Sequence, residues 1–262
     1  MDKDKLKKLA ADPKFIPGIY NYCNRWCERC EFIEKCLNYA IGKEDERFSS
    51  VNMNNESFTG QMIETLKASQ ELLKEIADEE GVDLTNVNAE EIAHEEKKKR
   101  KEDEKHTCAK AAMQYTKAVK EWFDTSEHTF KEKEDELNNE YQLEIPNTNP
   151  FEESEVIFDA VEVIRWYQHQ IYVKIMRALH GREFEDIEEL DEFPKDSDGS
   201  AKVALIAIDN SIDAWEKLRT NLTDEEDKIL DIIIHLDKLR KDLEAEFPDA
   251  RNFVRPGFDE YV

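Results

Sequence analysis

The chain has 262 residues, of which 39% are hydrophobic and 10% aromatic, so it can bury a core in one large or two small domains despite a 38% charged content. Its 62 acidic residues against 37 basic ones give a formal net charge of -25, which repels nucleic-acid phosphates and anionic lipid headgroups and leaves a protein as the expected partner. With seven Gly, seven Pro and no convincing period-two alternation, the expected fold is all-α: a bundle of about five main helices behind a small N-terminal Cys-rich module.

The opening run MDKDKLKKLAADPKF has lysines but no apolar stretch, and no segment nears the roughly 18 continuous apolar residues of a membrane span, so a cytoplasmic setting is expected. Next comes the least probable feature of the chain. Four of the five cysteines, Cys23, Cys27, Cys30 and Cys36, fall within 14 residues as C-x3-C-x2-C-x5-C, where composition alone gives about 0.3. In a reducing compartment such a cluster points to a metal centre rather than to structural disulfides. Four thiolates complete a tetrahedral zinc site or the corners of a [4Fe-4S] cubane, and either would staple a segment too short to have its own core. Tyr20, Tyr22, Trp26, Phe32 and Tyr39 would shield such a centre, and Arg25, Arg29 and Lys35 would offset thiolate charge. The compact run of cysteines leans toward the cluster, whereas the frequency of zinc sites leans back.

Two other readings of the cluster stand beside the metal. Reversible dithiol chemistry is one. In the other, Cys23, Cys27 and Cys30 share one face of a continuous helix and pack as small hydrophobes. The spacing of these three resembles the cluster loop of radical SAM enzymes over eight residues. That family implies a barrel of alternating strands and helices with one open iron. The rest of the chain lacks the alternation and Cys36 would close the iron, so the assignment is rejected.

After this module, taken as residues 1–45, the remaining 46–262 reads as the bundle. A helix is expected from about Ser57 to Glu80, with Phe58, Met62, Ile63, Leu66, Leu72, Leu73 and Ile76 on its apolar face and Gly81 as its cap. Asn88 with Glu91 reads as a capping box opening a helical stretch to about Tyr141, whose charged first third projects into solvent before the stripe Cys108, Ala112, Tyr115, Val119, Trp122 begins. Loops are expected near 142–150 and, strongly acidic, at 182–199. Helices at 151–180, at about 200–219 (containing VALIAI) and, from a capping box at Thr223 and Glu226, to about Glu246 complete the set.

The remaining candidates are weaker. Glu162, Arg165 and His169 share an arc of the 151–180 helix with Phe158, Trp166, Val173 and Met176, so they are expected partly buried, as a polar network or a ligand pocket. The pairs Glu91 with His94 and Asp103 with His106 fall short of a di-iron site, and KKKRK at 97–101 is neutralised by flanking acids into a solvated face. The run DSDG at 196–199 resembles the middle of a calcium loop, but Pro194 and Leu205 occupy its end positions. Cys108 belongs to the core. The functional expectation is a metal-binding helical protein whose bundle is an interaction or regulatory surface; the alternatives are an iron-sulfur oxidoreductase or electron-transfer component and a thiol-based redox sensor. No catalytic residues are identified.

Overall fold

A computed structural model describes residues 3–44, 56–81, 88–182 and 195–259. Among these the chain is all-α, with no strand. The helices are α1 (Lys3–Ala10), α2 (Leu37–Glu44), α3 (Glu56–Glu79), α4 (Ala89–Asp103), α5 (Thr107–Thr125), α6 (Glu127–Gln142), α7 (Pro150–Gly181), α8 (Asp196–Asn221) and α9 (Glu226–Glu246). None is long and apolar enough to cross a membrane. The chain divides into two compact units, one of residues 1–95 with 254–262, the other of residues 96–253.

In the second unit, α7 and α8 share the most extensive contact, α9 packs on α8, and α5 bridges α7 and α9 to close a four-helix ring, with α6 against α7. Along α8 the buried positions include many small residues, Gly199, Ser200, Ala201, Ala204, Ala207 and Ala214, which let neighbouring helices approach closely. This settles VALIAI as helix. At the centre Trp215 of α8 is fully buried, meets Trp122 edge to face at 4.9 Å, and donates its indole N–H to the Tyr115 hydroxyl at 3.2 Å. Cys108 is 1% exposed, as expected of a core position.

Three expected elements are corrected here. The stretch from 88 to 141 is not one helix. It breaks before α5, where the His106 ring nitrogen Nδ1 caps the new helix by accepting from the Cys108 amide at 3.3 Å, and again at Ser126. Both breaks lack Gly and Pro, the punctuation that marks a stop in sequence. The run DSDG lies in the first turn of α8 rather than in a loop, because Arg177 reaches Asp196 with two hydrogen bonds of 2.7 and 3.2 Å. Residues 183–194 of the expected acidic loop lie outside the described residues. Finally, Thr223 does not box with Glu226: a 3-10 turn, Thr223–Glu225, precedes α9, and the buried Glu225 accepts from Lys228 at 3.0 Å and from Thr129 at 3.5 Å.

Other boundaries stand where the sequence puts them. Asn88 caps α4 as expected by accepting the Glu91 amide at 3.3 Å, while the Glu91 carboxylate accepts at 3.3 Å from the Asn88 side-chain amide rather than from its backbone N–H, and Gly81 ends the α3 segment at φ +70°. The apolar face of α3 is another matter: Leu66, Leu73 and Ile76 are exposed. The side chains of Phe58, Met62 and Ile63 lie outside the described residues.

Burial in the second unit carries a pH consequence. Desolvation raises the Tyr115 hydroxyl from 10.0 to about 12 and, with the negative charge of Glu246, the Cys108 thiol from 9.0 to about 11. The folded chain therefore keeps both protons at a pH where the unfolded chain releases them, so stability is lost as pH rises from 9 toward 12, by up to about 1.4 kcal/mol per pH unit per group. Urea titrations at pH 8, 9.5 and 11 check this. Tyr115→Phe is expected to flatten the part of the slope above pH 10.

Candidate metal centre

The four clustered cysteines lie in the first unit, in a segment built from single turns. Three one-turn 3-10 helices, Ile19–Asn21, Cys27–Arg29 and Ile33–Lys35, follow one another, and an Ile16 amide to Lys35 carbonyl bond of 3.0 Å ties the two ends of the segment together. The continuous helix needed for a shared cysteine face is absent from residues 23–30, which corrects the packing alternative. Instead each cysteine is placed by its own local device. Cys30 and Cys36 each follow a 3-10 turn in nearly the same extended conformation, φ -90° ψ 119° and φ -101° ψ 111°, with their amides bonded back to Cys27 and Ile33.

Between Cys23 and Cys27 the chain reverses sharply. Asn24 accepts the Trp26 amide through its side-chain oxygen at 3.1 Å, and Arg25 sits at φ +55°, a left-handed conformation that costs a non-glycine residue about 1 kcal/mol or more. Arg29 then lays its guanidinium 4.0 Å from the Trp26 ring centroid. The Cys23 thiol donates to the Tyr20 carbonyl at 3.5 Å.

All four cysteines line one cavity of about 20 Å³, together with Ile19, Tyr20, Trp26, Phe32, Tyr39 and Phe258. All four are free thiols and half-buried. Burial raises the Cys27 thiol above its ordinary range, and the negative charge of the other three cysteines and Glu28 adds to the effect. Cys30 is raised mainly by burial; a hydrogen bond from the Phe32 amide works the other way, and Cys23 and Cys36 raise it further. Cys27 and Cys30 thus feel the thiols around them. As they stand, no three His, Cys, Asp or Glu side chains among the described residues form a group set to hold a metal ion.

Phe258 is the site residue that local sequence reasoning misses. The available signal was Pro256-Gly257, a turn dipeptide near an aromatic residue, but a turn does not name what it packs on. Arg25, Arg29 and Lys35 lie in the segment as expected, and Trp26, Tyr20, Phe32 and Tyr39 reach the cavity wall.

The second expected locus differs from its reading. Glu162, Arg165 and His169 are all exposed on α7, as are Phe158 and Val173, so the polar trio faces outward, while Trp166 and Met176 of the same arc are half-buried. The reason is that α7 turns Ile157, Ile164, Ile171 and Ile175 to the ring, leaving this arc on the opposite side. Arg165 instead lies 4.7 Å from the centroid of Phe123, at the rim of a groove of about 630 Å³ between α6 and α7 lined by Phe130, Tyr141, Phe151 and Phe158. Of the weaker pairs, Glu91 and His94 are exposed, and His106 serves as the α5 cap while its Nε2 lies 3.5 Å from Glu246. His180, in the last turn of α7, sits between Glu96 at 3.1 Å and Asp103 at 3.6 Å.

Compared with known proteins, the chain matches no family model, no curated protein and no solved structure.

Proposed function

We propose that this is a metal-binding protein in which Cys23, Cys27, Cys30 and Cys36 together hold one centre, a zinc ion or a [4Fe-4S] cluster, and the helical unit serves as an interaction or regulatory surface. The observation that carries the reading is that four cysteines, presented by separate turns, all reach the wall of one cavity. A second observation supports it. Among the described residues of the first unit only Phe15, Ile19 and Ala77 are buried apolar side chains, a core too small to order so many turns unaided. A centre ligated four times would supply the missing stabilisation.

The two centres make different demands on the site. Zinc draws its thiolates to about 3.5 to 4.5 Å from one another, and the small cavity admits an ion of that size. A cubane needs sulfurs about 6 to 7 Å apart, and a compact cysteine run is the pattern such clusters accept. For the bundle, the aromatic groove between α6 and α7 is the surface that supports an interaction role.

Metal content and absorption after anaerobic purification test the reading. One zinc in a colourless protein is the structural outcome; about four irons with absorption near 400 nm turns the proposal toward electron transfer. Protein free of metal after reconstitution with either, and cycling between thiols and a disulfide, would reject the metal and leave the thiol-based redox sensor.

A further inference from the structure

We infer that the segment Val254–Asp259 is a structural wall of the metal site, with Phe258 the side chain that shields the thiols from solvent and competing reagents. Resting on the metal reading proposed above, this assigns the site a component far from its ligands in sequence. Phe258 lines the same cavity as the four cysteines and meets Phe32, the residue two after Cys30, edge to face at 5.0 Å.

The segment is built to hold that ring in place. Arg255 stacks its guanidinium 4.9 Å from the Phe258 centroid and pairs with Asp259 at 2.9 Å, both side chains being less than one-fifth exposed. The Arg255 amide also donates to Asp259 at 2.9 Å, and the Phe258 and Asp259 amides return to the Arg255 carbonyl at 3.2 and 3.1 Å. Gly257 makes the turn at φ +76° and lies so close to the cysteine segment that a Cβ there would stand 3.0 Å from the Cδ1 atoms of both Ile16 and Ile19. Ile19 is 2% exposed and belongs to the cavity wall itself. The turn, the ion pair and the ring are therefore one closed device that sets Phe258 in the wall of the cysteine cavity, where a gap would let oxygen and chelators reach a half-buried metal-thiolate centre.

The experiment uses the full chain with Phe258→Ala, Phe258→Leu and Gly257→Ala. Two rates are read: alkylation of the four thiols by iodoacetamide in the protein as purified, and loss of bound metal, as zinc to a chelator or as bleaching near 400 nm in air. Phe258→Ala is expected to accelerate both by about tenfold or more, as an opened wall exposes the site without global unfolding. Phe258→Leu, which keeps apolar bulk, should lie between it and the parent, and Gly257→Ala, which lifts the whole turn, should match Phe258→Ala. Parent-like rates in Phe258→Ala and Gly257→Ala overturn the inference. Should Phe258→Ala fail to fold, Phe258→Leu decides alone: faster alkylation supports the wall and an unchanged rate rejects it. Faster alkylation in a protein that binds no metal upholds the wall and removes the metal reading, so the two fail separately.

Discussion

On the metal reading proposed above, Cys27→Ser is expected to yield protein that holds no metal, with the segment around residues 11–44 unfolded, while the second unit keeps its helices. A structural zinc contributes about 10 to 16 kcal/mol to the fold of a small module, and removing one of four ligands forfeits much of it. Against that, Phe15 and Ile19 offer about 1.5 to 3 kcal/mol each by burial, less than the ordering of some thirty residues costs. The ring of α5, α7, α8 and α9 has its own core. Metal analysis, far-UV circular dichroism and limited proteolysis together check the result. Full metal retention, or loss of most of the helical signal, would contradict it.

Trp215→Ala is expected to destabilise the second unit by about 3 to 5 kcal/mol, enough to shift its urea midpoint strongly or to unfold it at 37 °C. The indole is fully buried, so its removal leaves a large cavity beneath Trp122 and Phe123. It also removes the hydrogen bond donated to Tyr115, a hydroxyl buried in the same core. Trp215→Phe should restore most of the packing but not that bond, and so recover only part of the loss. A midpoint within 1 kcal/mol of the parent in the alanine variant would show that the core closes over the gap.

What the sequence made legible was local. Gly81, Asn88 and the apolar rows of α7 and α9 declare themselves through conformational freedom, side-chain capping and a 3.6-residue period, each acting within a few residues. The cysteine cluster was legible for the same reason, as a density of thiols in a short window. Features decided by distant partners were not. Whether the arc of Glu162, Arg165 and His169 faces in or out depends on where α5, α6 and α8 settle around α7, and a helix with apolar residues on more than one arc does not announce which arc wins. His106 ends a helical run by a ring-nitrogen cap that residue type alone does not forecast. Phe258 is illegible from any window, because the residues it covers lie at the other end of the sequence.

The placement of Val254–Asp259 with the cysteine segment makes the first unit discontinuous in sequence, residues 96–253 of the second unit coming between its two parts along the chain. During synthesis the chain emerges from its N-terminal side, so the four thiols appear before Phe258, which lines their cavity, has been made. The roughly 220 residues from Cys36 to Phe258 take about 10 to 45 s to translate at about 5 to 20 residues per second. If Phe258 is the wall inferred above, the cysteines stand uncovered for that interval, open to a metal donor and equally to oxidants, and its arrival closes the window.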